Sequence, residues 1–240
     1  MTLHLKALSP FARGGNRLCF VHPEHPDRCI KVRRPDFTLA DLRRTKGFPK
    51  NLRPLSWFDD NLEELKVMED IAARLGEPAF ALVSRCYGFE ETDMGLGLTS
   101  ELIRDGDGRI ARTLKQHIWD NGYSNDLKTA VQRFGEAWAA LGVPSRDLLV
   151  HNLVVQCESD GSIRRLVAID GLGSASAIPD RWLPRSALLA RSARKVANLH
   201  ERIANLMAAR ARNEFPGTHG LLMHDGLDVP AAPSVDKDPT

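Results

Sequence analysis

The chain has 240 residues, of which 42% are hydrophobic and 27% charged, a composition that supports a globular protein with an ample core. Its formal net charge of +2 at pH 7 argues against a strongly electrostatic binder of nucleic acid or of membrane headgroups. No apolar run approaches the roughly 18 residues of a membrane-spanning helix, and Met1 to Lys6 lacks the apolar stretch of a secretion signal. A cytoplasmic protein with no membrane span is therefore expected.

In chain order, the first feature is Phe11-Ala12-Arg13-Gly14-Gly15-Asn16-Arg17, a glycine-containing turn between two strand-like pieces. Strands are predicted near residues 17–22 and 28–32, and the second, Arg28-Cys29-Ile30-Lys31-Val32, sets one lysine amid apolar neighbours. Between them, Cys19, His22, His25 and Cys29 are residue types that a zinc site uses. Pro23 and Pro26 instead mark a turn, which makes Cys19 and Cys29 cross-strand neighbours and reduced structural thiols. Cys86 and Cys157 fall in separate apolar runs and read as core residues. Residues 33–60 form a basic expansion carrying Arg33, Arg34, Arg43, Arg44, Lys46, Lys50 and Arg53. A solvated loop is expected there, and the sharper reading is an electrostatic platform for an acidic acceptor or phosphorylated partner.

Leu62, Leu65, Met68, Ile71, Ala72 and Leu75 recur at helical spacing, and Glu63 and Glu64 ride on the same segment. Strands near 80–90 and 96–103 complete a strand-rich first part, and the polar link Arg104 to Gly108 is placed as a hinge. Asp105-Gly106-Asp107-Gly108 opens like a calcium loop, but Ile110 and Gln116 stand where an EF-hand needs glycine and carboxylate. A helix near Leu127 to Leu141 is stopped by Gly142. Leu148 to Val155 and Leu166 to Ile169 then read as two strands joined at Asp160-Gly161. Ser186 to Asn213 reads as a long basic helix with an apolar stripe at Leu189, Ala193, Val196, Leu199, Ile203 and Leu206. His200-Glu201 opens a metalloprotease-like pattern that Ala204 breaks. His224 to Thr240, rich in Pro, Asp and Gly, is expected to be disordered.

The stretch Ser145-Arg146-Asp147-Leu148-Leu149-Val150-His151-Asn152, followed by Asp170-Gly171-Leu172-Gly173, carries the chemistry. Asp-Gly by itself is a turn dipeptide, found here also at Asp105, Asp107, Asp160 and Asp225. Placement distinguishes Asp170: Asp147 and Asn152 precede the predicted hairpin and Asp170 ends it, which brings three polar side chains towards one end. An amide and a carboxylate so placed can hold magnesium against phosphates, while a further carboxylate orients an acceptor hydroxyl. The spacing resembles the H-R-D-x-x-x-x-N and D-F-G motifs of protein kinases, with Ser145 in place of the His and Leu172 in place of the Phe. Arg28 to Val32 resembles the kinase V-A-I-K strand, and Gly14 and Gly15 a reduced glycine-rich loop. Glu64 then becomes a helix partner for Lys31, with Glu63 equally eligible.

Ser9 through Arg17, His22-Pro23-Glu24 and Arg28 to Lys31 resemble the amino-terminal signature of the PhoP-regulatory-network (YrbL-type) family of small bacterial proteins. The likeness runs on through Glu63-Glu64-Leu65-Lys66, Tyr87-Gly88 and Asp170-Gly171, covering most of residues 9–175. It implies an α+β fold, a small protein-kinase-like two-lobed fold with an antiparallel sheet lobe and a reduced helical lobe. The sheet lobe would span 1–103, the helical lobe with the catalytic and metal loops 104–223, and a disordered tail 224–240. The resemblance also implies a nucleotide site with ATP and Mg as cofactors. Gly14, Gly15, Lys31, Glu64, Glu101 and Ile103 would surround the nucleotide, and Asn152 and Asp170 would hold the metal. Asp147 and Lys31 would serve catalysis. Phosphotransfer to an unknown protein or small-molecule acceptor is the expected activity. A non-catalytic nucleotide-binding regulator (a pseudokinase) and nucleotidyl transfer to a protein are the alternatives.

Overall fold

A computed structural model describes residues 2–173 and 182–227. Strands β1 (Ala12–Arg13), β2 (Arg17–Val21), β3 (Arg28–Arg33), β4 (Cys86–Thr92) and β5 (Gly95–Glu101) form one antiparallel sheet in the order β1-β2-β3-β5-β4. The period of two along β3 sorts its side chains. Ile30 and Val32 pack with Leu3, Leu5 and Phe20 on one face, while Cys29 and Lys31 face the other. The sheet is tight at its centre: a Cβ on Gly97 would stand 2.4 Å from Ile30 Cγ2. Cys19 pairs with Lys31 and Cys29 with Val21, so the two cysteines are diagonal, not direct, cross-strand neighbours. All four cysteines are free thiols. His22 accepts backbone N–H bonds at Nδ1 from Glu24 (3.0 Å) and His25 (3.2 Å) and turns Nε2 to Glu90 at 3.1 Å. It organises the turn, and no cluster of three or more His, Cys, Asp or Glu side chains able to hold a metal occurs among the described residues.

The 33–60 expansion is partly helical. Thr38 and Asp41 make a reciprocal capping box that starts α1 (Leu39–Thr45), and 3-10 turns follow at Lys50–Leu52 and Leu55–Phe58. Helix α2 (Asp60–Leu75) is capped by Asp59, whose carboxylate accepts from the N–H groups of Asn61 and Leu62. It buries Asn61, Met68 and Ile71 and leaves Ala72 exposed. Asn61 Nδ2 donates to Lys31 O at 2.9 Å, which docks α2 directly onto β3. The strand expected from residue 80 begins only at Cys86, because Gly76 (φ 63°) and Pro78 lead into a 3-10 turn over Glu77–Ala81.

The second lobe is built from α3 (Leu114–Asn121), α4 (Asn125–Leu141), the antiparallel hairpin β6 (Leu153–Cys157) and β7 (Ile163–Ala168), and α5 (Arg185–Ala211). Residues 148–152 form turns, not the expected strand: Asn152 N–H donates back to Leu149 O at 2.9 Å and Val150 O accepts from Lys115 N–H. The hairpin turn at Asp160-Gly161 forms, with Gly161 at φ 83°. The core gathers Ile71, Leu114, Leu127, Trp138, Leu199 and Ile203. On α5, Ser192 is buried, donating to Trp138 O at 2.9 Å, whereas Ala193 of the expected stripe is exposed. A five-stranded antiparallel sheet crossed by one helix, then a helical lobe holding a two-stranded hairpin, makes an α+β fold.

No helix among the described residues is long and apolar enough to cross a membrane. Of the expected tail, residues 228–240 lie outside the described residues. Its first part packs on the body, with His224 Nε2 3.2 Å from Ser9 O and Asp225 O accepting from Ile110 N–H at 2.9 Å.

Candidate active site

Helix α2 docks so that Glu64, not Glu63, faces the sheet. Lys31 Nζ donates to Glu64 Oε1 at 2.5 Å and to Ile169 O, just beyond β7, at 3.0 Å. Arg17, at the start of β2, is the third member. Its Nη1 bonds Glu64 Oε2 and lies 3.2 Å from Asn61 Oδ1, and its Nη2 donates to Asp170 Oδ2 at 2.9 Å. Two cations and two carboxylates thus alternate across the join between the lobes. Burial opposes the charged form of Lys31, but the Glu64 carboxylate outweighs it and holds the lysine pKa above its ordinary value. At Asp170 the recessed position favours the neutral acid, yet Arg17 and then Lys31 pull its pKa down to about 2. The carboxylate is ionised at neutral pH. Burial also pushes the Cys29 thiol up to about 12, so beside Lys31 it stays protonated.

Asp170 lies against the Ser145 to Asn152 segment through Gly171. That glycine has φ 77°, and a Cβ there would sit 2.5 Å from Asn152 Nδ2 and 2.8 Å from Asp147 O. Gly171 O accepts from Arg146 N–H at 2.9 Å and Gly171 N–H donates to Asp170 Oδ1 at 2.7 Å, so the two loops are locked in register. Ser145 and Leu172 form a β-bridge beside them. Arg146 pairs with Glu63, which gives the other α2 carboxylate a partner of its own.

Asp147 is held from α5. Arg202 Nη2 donates to its Oδ2 at 2.6 Å, and Lys195 Nζ is 4.0 Å from its Oδ1. Asp147 Oδ1 and Arg202 Nη1 are both buried atoms without a hydrogen-bond partner.

A cleft of about 1050 Å³, counting the open solvent at its mouth, runs between the lobes. Gly14, Gly15, Lys31, Asn152 and Asp170 line it, as do Glu101 and Ile103 from the end of β5. Glu64 stands behind Lys31 and lines a second, polar hollow with Arg17 and Arg146. Asp147 lines neither hollow. The Glu101 carboxylate is taken up by the Arg85 N–H at 3.0 Å and Arg165 Nη2 at 3.4 Å, and the Glu101 N–H donates to Arg85 O at 2.8 Å. Ile103 O already accepts from Ala111 N–H at 2.9 Å. Gly14 and Gly15 differ from the other turn glycines. Neither has a positive φ, and a Cβ would meet only Arg17 O at 3.7 Å at Gly14 and nothing within 4 Å at Gly15. Their backbone conformation does not demand glycine.

Arg17, Lys195 and Arg202 were not among the site residues expected from the sequence. Arg17 follows the glycine turn directly, which is a usable signal. Lys195 and Arg202 are one face of a helix that reads as solvated and basic.

Residues 3–204 match the family described as PhoP regulatory network protein YrbL. The chain belongs to this family. The YrbL proteins of Escherichia coli (strain K12) and Shigella flexneri are each 26% identical to it over 180 residues, covering 74% of this chain and 76% of theirs. Among solved structures it is similar to Rad53 in complex with AMP-PNP, with 13% identity and a TM-score of 0.45 over 88% of this chain and 48% of that one. This chain thus spans about half the length of the Rad53 chain. It is also similar to the PknI kinase domain of Mycobacterium tuberculosis, with 17% identity and a TM-score of 0.42 over 90% of this chain and 78% of that one. The YrbL family match takes in Arg17, Lys31, Glu64, Asp147, Asp170 and Arg202, and stops short of residues 214–227.

Proposed function

We propose that this kinase-like protein binds ATP with magnesium in the interlobe cleft and transfers a phosphoryl group to an acceptor hydroxyl. The observation that carries the reading is the position of Lys31. It is anchored on Glu64 at 2.5 Å and shares a cleft with the ionised Asp170 and with two glycines whose missing Cβ atoms leave a cradle. Lys31 would bind the nucleotide phosphates, and the backbone of Gly14 and Gly15 would cover them. The donor set suits magnesium, which needs one or two carboxylates beside phosphate oxygens and water. Asn152 and Asp170 would hold it, and when bound it neutralises phosphate charge. Glu101 and Ile103 would line the site through their backbones.

Asp147 is the proton acceptor in this reading. Its Oδ1 has no hydrogen-bond partner, with Lys195 Nζ at 4.0 Å, and would take the proton of the acceptor hydroxyl, while Arg202 on Oδ2 fixes the plane of the carboxylate. A second reading, a nucleotide-binding regulator without turnover, is favoured by the same contact, because Arg202 and Lys195 already engage the Asp147 carboxylate and Ser145 replaces the usual loop histidine. Thermal-shift titration with ATP, with and without magnesium, tests the shared part of both. Label transfer from the γ phosphate then supports phosphotransfer, and label from the α phosphate supports nucleotidyl transfer. Binding with neither leaves the regulator.

A further inference from the structure

After α5 the chain turns back as a strap, residues 214–227, and runs along the interlobe cleft. Lys115 is 2% exposed, and its ammonium donates to three strap carbonyls: Pro216 O at 2.8 Å, Gly217 O at 2.7 Å and His219 O at 2.9 Å. A buried ammonium is costly unless its donors are met, and three carbonyls match its three N–H groups. Thr113 Oγ1 donates to Gly220 O at 2.8 Å, and Met223 N–H donates to Phe11 O at 2.7 Å, next to the glycine turn. The strap thereby ties the helical lobe to the edge of the sheet.

Its sequence is fitted to this path. Gly217, Gly220 and Gly226 take φ of 70°, 79° and 78°. A Cβ on Gly220 would lie 2.5 Å from His151 Cβ, and one on Gly226 would lie 2.7 Å from Ile110 Cδ1. Two glycines are therefore required both by backbone conformation and by close approach.

Leu221 and Leu222 line the same cleft as Lys31 and Asp170. Leu222 packs on a cluster of Phe11, Cys29, Leu102 and Ile110 from the sheet lobe and the link. A separate cluster, Ile103, Ala111, Val154 and Ile169, also lines the cleft. The part of the cleft beyond Lys31 is therefore an apolar slot bounded by two clusters, one completed by the strap. Such a slot takes a flat, apolar ring face.

We propose that residues 219–222 form a wall of the nucleobase subsite, with Leu222 in contact with the face of the base. This rests on the nucleotide reading above and adds a specificity-determining element outside the part of the chain matched to the family. The strap acts on affinity and leaves the phosphate residues as they are.

The test compares Mg·ATP affinity, by calorimetry, for the full chain and for Leu222→Ser and Leu222→Met, alongside the melting temperature of each without ligand. The expected result is an affinity about tenfold weaker in Leu222→Ser, from loss of one apolar contact, and near-normal affinity in Leu222→Met, with unliganded melting lowered in Leu222→Ser by the lost packing on the sheet-lobe cluster and near wild type in Leu222→Met. Unchanged or tighter binding in Leu222→Ser overturns the proposal, since the strap would then be a bystander or a plug. Equal affinity loss in both variants, together with lowered unliganded melting, also overturns it, because the role would be structural. Wild type that fails to bind Mg·ATP removes the nucleotide reading and this inference with it. Wild type that binds while Leu222→Ser binds equally well removes the strap alone.

Discussion

On the sheet side of the cleft, Lys31 and Arg17 face Glu64 and Asp170, two cations against two carboxylates, with Lys31 8% and Glu64 12% exposed at the side chain. On the helical side, Asp147 alone faces Arg202 at 2.6 Å and Lys195 at 4.0 Å, with side chains 25–35% exposed. The first group is charge-balanced; Lys31, Arg17 and Glu64, with side chains 8–13% exposed, are poorly screened and depend on one another, while Asp170, 49% exposed, completes the balance from the solvent side. The second carries surplus positive charge close to solvent, where ion pairs contribute little to folding. Substitutions on the sheet side should therefore register in stability and nucleotide binding, and those on the helical side in turnover.

The largest expected effect breaks the helical side alone. Asp147→Asn keeps the shape and removes the charge, so the rate of γ-label transfer should fall by ~10²–10⁴ while ATP affinity is retained. Arg202 keeps a carbonyl to bond in the variant, so the fold has little reason to change. Equal turnover in wild type and variant would leave the phosphotransfer reading without its base. A parallel loss of ATP affinity would merge the two sides that the structure separates.

Next in size is Lys31→Met, which removes one cation from the balanced group. Breaking a buried pair from one side usually costs about 3–5 kcal/mol. Arg17 still neutralises Glu64 here, so the lower end, about 3 kcal/mol, is expected in urea unfolding, with nucleotide binding lost. A variant as stable as wild type would show that Lys31 and Glu64 are not coupled as their distance implies.

Asp170→Ala follows. For wild type at ~100 times the dissociation constant, Mg·ATP should stabilise by about 2.7 kcal/mol. That gain should require the divalent ion and should fall in the variant. Identical magnesium-dependent shifts in both proteins would remove Asp170 from the metal.

These two sides were not equally legible in the sequence. Lys31, Asn152 and Asp170 could be found because each sits at a fixed spacing within a short segment whose structure is local, a strand or a loop beside a hairpin. Glu64 and Glu63 could not be told apart. The choice depends on the rotation of α2 against β3, which is set by the Asn61 bond to Lys31 O across thirty residues. Arg17, Lys195 and Arg202 act over still longer separations, 153 residues for Arg17 to Asp170 and 55 for Arg202 to Asp147. A lone cation on a strand or basic helix has no local pattern that reveals its partner. The strand expected from Leu148 begins only at Leu153 for a related reason. Its apolar residues are buried by tertiary packing of a turn, and periodicity cannot tell that from a strand.

The smallest expected effect sharpens the comparison within the sheet side, by asking what Arg17 does for Asp170. The pKa of Asp170 is about 2, below the ordinary ~3.9, and Arg17 is the largest of the causes that lower it. In Arg17→Met it should rise towards ~3.9, because burial favours the neutral acid and Lys31 and the Gly171 N–H are left to oppose it. The sign for stability follows. A carboxylate with a depressed folded pKa contributes stability that is present above the unfolded value of ~3.9 and is lost as pH falls towards 2. With Arg17 gone the folded and unfolded values draw together, so this contribution shrinks and its loss is confined to a narrower range just below pH ~4. Carboxyl NMR titration of Asp170 in both proteins measures the midpoint directly, and acid unfolding followed by far-UV circular dichroism measures its consequence. An unchanged Asp170 midpoint in the variant would mean that the 2.9 Å contact with Arg17 does not persist in solution. Asp170 would then be free to meet a metal with Lys31 as its only neighbouring cation.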